Sequence, residues 1–200
     1  MKIALLGDSH SQALFPRLEG PLIQQGYEVI SSVSQPGWGV KKFVDQGMAT
    51  VPPEAEGVVI SLGGNNHNLT SDYERQVDRF LASIGPTKRI VWVGPAASVR
   101  EDVSHRHEWT ADTLSKILPS KGIKFIDSRS YTAAGHRDDG VHFTQSGYDY
   151  WASQVQRPIM LGLAVSPLMR QVTRISLYTM VGLGTLYTLY FLYNLARSRS

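Results

Sequence analysis

Cysteine is absent from the 200 residues. Its absence removes disulfides, thiolate catalysis and cysteine-ligated zinc or iron–sulfur sites together, and leaves the redox compartment open. A block of like charge is also missing. The 20 Lys and Arg set against 17 Asp and Glu leave a net charge of +3, and the basic residues are scattered. A dispersed, mildly basic surface lacks the massed cationic stripe of a nucleic-acid binder, so no nucleic-acid partner is expected. Before Asp8 there is no long apolar region and no small-residue cleavage site, so no N-terminal signal peptide is expected. Internal repeats and low-complexity segments are absent too. A hydrophobic fraction of 42% with 18% charged residues is that of a globular protein with a sizeable core.

What is present is an alternation of short apolar runs with helical patterns. Strands are expected over residues 2–6, 28–33, 58–62, 90–93 and 124–126, rich in Val and Ile and mostly apolar throughout, as strands buried on both faces should be. Helices are expected over 11–25, with Leu14, Phe15, Leu18, Leu22 and Ile23 as the buried stripe, and over 71–84, with Tyr73, Val77, Phe80, Leu81 and Ile84. Weaker helical periods cover 108–118 and 145–156. This order implies a parallel sheet covered by helices on both faces. In such sheets ligands sit beyond the carboxyl ends of the strands.

The C-terminal part differs. Residues 158–174, interrupted by Pro158 and Pro167, read as a connector whose apolar stretch 159–165 packs on the domain or lies on a membrane surface. Residues 175–196 then carry no charge. As a helix they would span about 33 Å, near the thickness of a bilayer's hydrocarbon core. Arginines flank both ends and four tyrosines recur along the segment, as in an interfacial belt. A membrane-spanning helix is expected there, with residues 197–200 as a short basic tail; burial against a partner protein is the alternative. Arginines on both sides leave the membrane orientation open.

Four short stretches carry chemistry. Gly7-Asp8-Ser9 follows the first strand, Gln35-Pro36-Gly37-Trp38-Gly39 the second, and Leu62-Gly63-Gly64-Asn65-Asn66 the third. Asp138-Asp139-Gly140-Val141-His142 precedes the last helix. Each alone is an ordinary turn. Together they supply the parts of an acyl-transfer site. A serine hydroxyl needs a base to take its proton, and a neutral imidazole does so near pH 7. That imidazole needs an acceptor to hold its tautomer, which Asp139 offers three residues before His142. Asp138 competes for that role. The oxyanion needs preorganised donors, and Ser9 N–H, Gly37 N–H and the Asn65 amide are on offer.

In this order the four stretches resemble the four blocks of the SGNH (GDSL-type) hydrolase superfamily: GDS at residues 7–9, Gly37, G-x-N at 63–65 and D-x-x-H at 139–142. The resemblance covers about residues 1–156, and the continuation DGVHFTQSGYDYWA is similar to the family as well. It implies a flavodoxin-like three-layer α/β/α sandwich over a catalytic domain of residues 1–157. Ser9 would be the nucleophile and first oxyanion donor, Gly37 and Asn65 the remaining donors, and Asp139 with His142 the rest of the triad. No metal or organic cofactor is required. The absence of any G-x-S-x-G argues against the α/β-hydrolase route to the same chemistry.

Two positions depart from the family pattern. His10 stands where Leu is usual, in a GDSH variant similar to domains linked with polysaccharide O-acetylation and deacetylation. Asn66 replaces an Asp, keeping hydrogen bonds without the charge. His10, Trp38, Asn66 and Asn68 are candidate substrate-binding residues. The bland alternatives are a first helical turn for His10, a loop anchor for Trp38, and polar turn residues for Asn66, His67 and Asn68. His105, His107 and His136 lack metal-ligand spacing and read as solvent-exposed. The expected function is a serine esterase removing O-acetyl groups from carbohydrate. A lysophospholipase-like lipid esterase, a sugar O-acyltransferase, and a non-enzymatic component of a membrane complex or phage particle are its rivals.

Overall fold

The computed structural model describes residues 1–66, 72–85 and 88–164. Five strands form one sheet: β1 (Lys2–Gly7), β2 (Glu28–Ser34), β3 (Gly57–Ser61), β4 (Arg89–Val93) and β5 (Lys124–Ile126). They pair in the order β2-β1-β3-β4-β5, and every pairing is parallel. Four helices connect them, α1 (Ser11–Gln24), α2 (Val40–Asp45), α3 (Tyr73–Ile84) and α4 (Glu101–Ser120), and α5 (Gln145–Ala164) follows β5. This is the doubly wound order whose direction reverses between β1 and β3, opening a crevice at their carboxyl ends.

The period-two alternation of each strand divides the core into two layers. Ile3, Leu5, Val59, Val91 and Val93 face α1 and α5, meeting Leu14, Leu18, Leu22, Trp151 and Ile159. Leu6, Val58, Ile60, Ile90 and Trp92 face the other way, onto Phe43, Val77, Phe80 and Leu114. Helices on both faces exclude water from both sides of the sheet, which is why β1, β3 and β4 are apolar almost throughout. β2, at the edge, is only partly buried and carries three serines.

The structure corrects several expectations. Ile23 is 54% exposed; a stripe already filled by Leu14, Leu18 and Leu22 leaves it pointing outward. Leu81 is half-buried but packs against the core. α2 has too few residues for a period to show, and α4 starts seven residues earlier than its apolar pattern.

The connector expected from residue 158 does not begin there, because α5 runs through Pro158 to Ala164. Proline costs a helix about 3 kcal/mol. Ile159 and Leu163, both fully buried beyond it, offset this at about 2 kcal/mol each. Arg89 Nη1 also donates to the Leu163 carbonyl at 3.1 Å, and the Tyr27 hydroxyl to that of Met160 at 3.3 Å. The apolar stretch from Ile159 therefore packs on the domain.

The connector beyond 164, the hydrophobic segment 175–196 and the tail 197–200 lie outside the described residues. Among the described residues, no helix is long and apolar enough to cross a membrane.

Candidate active site

β1 ends at Gly7, and α1 starts four residues later. That turn is possible only because residue 7 has no side chain: a Cβ there would fall 2.3 Å from Ser11 Cβ and 2.9 Å from the Ser61 carbonyl. Ser11 closes the turn from inside, its Oγ donating to the Asp8 carbonyl at 2.6 Å. Ser9 is left half-buried at the rim.

The loop before α5 is equally fixed. Gly140, at φ +68°, lets the chain reverse, and its carbonyl accepts from Val99 N at 3.0 Å and Ser98 Oγ at 2.8 Å. Arg137 N donates to the His142 carbonyl at 2.7 Å, and His136 bridges to the fully buried Phe143. These restraints bring His142 Nε2 to 3.1 Å from Ser9 Oγ, although 133 residues separate them.

His142 Nδ1 lies 2.8 Å from Asp139 Oδ2, while Asp139 Oδ1 accepts the amides of Val141 (2.9 Å) and His142 (2.8 Å). The Val141 amide, then the His142 side chain and amide, hold the Asp139 carboxyl well below the usual carboxylate range. An ionised Asp139 accepts from Nδ1–H, so Nε2 presents a bare lone pair to the serine hydroxyl. Asp138 makes no such contact with His142.

The oxyanion candidates come from two neighbouring loops. Gly37 adopts φ +72°, a conformation suited to glycine. The glycine two residues on lets the loops touch, since a Cβ at Gly39 would fall 2.7 Å from the Asn65 carbonyl. Asn65 Nδ2 donates to Asp8 Oδ2 at 3.3 Å, while Asp8 Oδ1 accepts from His10 N at 3.1 Å. Asp8 is buried, and burial pushes its carboxyl up to about 7, against the backbone bonds from His10 and Gly64 and the charge of His142. It therefore orients the Asn65 amide from beneath.

Two cavities meet at Asn65. One, of about 240 Å³, contains Ser9, His142 and Asp139; the other, of about 300 Å³, contains Gly37, Lys41, Lys42 and Gln76. Asn66 lines the second cavity and donates from Nδ2 to Thr110 Oγ1 at 3.4 Å. His10 borders the serine cavity but is 4% exposed. It packs behind His142 at 5.1 Å between ring centroids, among Phe143, Tyr148 and Trp151, with Nδ1 3.1 Å from the Tyr148 hydroxyl. Burial first, then the charges of His142 and His107, push it down to about 3, so it is a neutral support for the His142 ring. Trp38 lines neither cavity; it sits edge-on to Phe43, with the Lys42 ammonium 4.9 Å over its ring. His67 and Asn68 lie outside the described residues.

His107 is not solvent-exposed as expected but buried. It falls on the α4 face shared with Val103, Thr110, Ala111 and Leu114, a spacing of three and four that was present in the sequence but masked by polar neighbours. Its Nδ1 lies 2.6 Å from the Ala96 carbonyl and its Nε2 3.2 Å from that of Gly64. Burial depresses its pKa, opposed by those two bonds. It thereby braces the loop that carries Asn65. His136 is half-buried, with Nε2 3.1 Å from the Ala97 carbonyl. His105 is exposed.

No protein-family model and no curated protein matches the chain. Solved structures do. A catalytic mutant of an acetylxylan esterase from Geobacillus stearothermophilus shares 14% identity at a TM-score of 0.60, covering 79% of this chain and 93% of that one. Phospholipase A1 from Streptomyces albidoflavus shares 12% at 0.64, covering 79% and 98%. The C-terminal catalytic domain of peptidoglycan O-acetyltransferase A from Streptococcus pneumoniae, with a methylsulfonyl adduct, shares 17% at 0.62, covering 83% and 96%. At these identities the likeness establishes a common fold.

Proposed function

We propose that this chain, which has the fold of the SGNH (GDSL-type) hydrolases, is a serine esterase that removes short acyl groups, foremost O-acetyl, from carbohydrate. The observation that carries the reading is the relay in which Ser9 Oγ lies 3.1 Å from His142 Nε2, and His142 Nδ1 lies 2.8 Å from Asp139. In the first half-reaction Ser9 Oγ attacks the ester carbonyl as its proton passes to Nε2. The oxyanion gathers donors from Ser9 N–H, Gly37 N–H and the Asn65 amide. The imidazolium, stabilised by Asp139, then gives its proton to the leaving alcohol oxygen. A water deprotonated by the same ring attacks the acyl-serine, releasing the acid and restoring Ser9.

The lining of the cavities supports a short acyl group on a polar alcohol. Glycines, lysines, asparagines, Asp45 and glutamines border the larger cavity; arginines and histidines border the serine. Among the described residues, Val103 and Val141 are the only aliphatic side chains bordering either cavity, fewer than a groove for a long acyl chain needs. The acetyl esterase and the O-acetyltransferase among the similar structures support acetyl groups; the phospholipase favours the lipid alternative. Transfer of the acyl group to a sugar hydroxyl instead of water uses the same acyl-serine.

A fluorophosphonate label on the full-length chain tests the reading. Labelling that disappears in Ser9→Ala is expected, and failure to label folded wild type would favour the non-enzymatic alternative. In a panel of p-nitrophenyl esters, acetate should be preferred to long chains. Strong preference for long chains ends the sugar-ester reading.

A further inference from the structure

The wall of the serine cavity facing His142 carries charge that the reaction at Ser9 does not use. Arg100, at the N-terminal cap of α4, and Val103, Arg106 and His107 within it recur at a spacing of three and four, on one helical face that borders this cavity. Arg100 and Arg106 therefore both border the cavity that holds Ser9. Among the described residues, Asp139 is the one acidic residue bordering the same cavity, and its oxygens are already taken by Val141 N, His142 N and His142 Nδ1.

Arg100 is held in place by the catalytic loop itself. Ser98 Oγ accepts from Arg100 N at 3.1 Å and donates to the Gly140 carbonyl at 2.8 Å. The Arg100 Cγ lies so close to Gly140 that a Cβ there would approach it to 3.1 Å. On its outer side Arg100 donates from Nε and Nη2 to exposed Asp102, at 2.9 and 2.6 Å. Its Nη1 has no acceptor among the described residues. A guanidinium fixed at one edge and open at another is preorganised for an oxyanion such as a carboxylate or a phosphate.

The chemistry says which part of the ester meets this wall. Under the serine-esterase reading, on which this inference rests, His142 must hand its proton to the leaving alcohol. The alcohol therefore lies on the His142 side, in the cavity bordered by α4, and not in the cavity beyond Asn65.

We propose that Arg100, with Arg106 beside it, forms a subsite for an anionic group on the alcohol part of the ester. The substrate class is then an O-acylated acidic sugar, with the charge near the acylated hydroxyl. A carboxylate and a phosphate share the required chemistry.

The test uses the full chain and three O-acetylated methyl galactosides that differ only at C6: the neutral alcohol, the carboxylate and the 6-phosphate. p-Nitrophenyl acetate serves as a neutral reference. The anionic sugars should exceed the neutral one in kcat/KM by at least about tenfold at low ionic strength, the scale of one charged hydrogen bond. That advantage should shrink as salt screens it. Arg100→Gln should lower the anionic-to-neutral ratio about tenfold, with Arg100→Lys intermediate; Arg106→Lys is the second variant. The better of carboxylate and phosphate identifies the group. Hydrolysis of p-nitrophenyl acetate with no preference among the sugars, or with none of them cleaved, overturns the subsite. An Arg100→Gln ratio equal to wild type also overturns it. Absence of any ester hydrolysis or labelling overturns the esterase reading instead.

Discussion

Replacing Asp139 with Asn isolates what its carboxylate does for the relay. Asn keeps the size and shape, and its Oδ1 can still accept the Val141 and His142 amides that Asp139 Oδ1 holds at 2.9 and 2.8 Å. Its Nδ2 then faces His142 Nδ1 across the 2.8 Å gap now spanned by a carboxylate oxygen. Two donors cannot share that contact. The ring escapes by moving its proton to Nε2, and a protonated Nε2 cannot take the proton of Ser9. The wrong tautomer and the lost anion together cost triads up to about 10⁴ in kcat. Here the Asp139 side chain is 46% exposed, so solvent screens its charge and the electrostatic share is smaller. The expected loss is about 10²- to 10³-fold in kcat, or about 3–4 kcal/mol of barrier. Initial rates on p-nitrophenyl acetate measure it, with thermal melts to show that the variant is folded. Asp138→Asn should stay within about twofold of wild type. A folded Asp139→Asn variant retaining more than a tenth of wild-type kcat would refute the tautomer argument, as would an equal loss in Asp138→Asn.

Three further outcomes follow from other parts of the molecule. Asp8 has its pKa raised in the fold from 3.8 to about 7, chiefly by burial. The folded state therefore binds more protons than the unfolded state between those values, and the stability due to protonated Asp8 is lost as pH rises through about 7, by roughly 4 kcal/mol in all. Urea midpoints of wild type and Asp8→Asn should accordingly move towards the variant's advantage between pH 4 and pH 8; a parallel pH dependence would contradict the buried carboxyl. His107→Ala should cost about 2–4 kcal/mol, by opening a void and removing the one N–H that a neutral ring donates to the Ala96 or Gly64 carbonyl. It should also lower kcat several-fold by loosening the Asn65 loop, and an unchanged kcat in folded protein would remove that brace. Leu22→Ala should lose about 2–4 kcal/mol in urea unfolding and Ile23→Ala less than about 0.5, because Leu22 is fully buried and Ile23 is 54% exposed. Equal losses would mean that the α1 face is wrongly assigned.

The sequence by itself determined the parallel doubly wound sheet, because strands shielded on both faces must be apolar at nearly every position and β1, β3 and β4 are. It also determined which loops to search, since Ser9, Gly37, Asn65 and the 139–142 stretch each stand beside the end of a strand or the start of a helix. Tertiary structure alone decided the rest. Whether α5 stops at Pro158 depends on burial of Ile159 and Leu163 against the sheet, and a local propensity does not contain that energy. Asp8 and His10 change character through desolvation, which exists only once distant chain segments surround them. His107 passes from an exposed histidine to a brace because the carbonyls of Ala96 and Gly64 converge on it. The pattern along the chain records which residues avoid water; which charge meets which partner is set by approach in space.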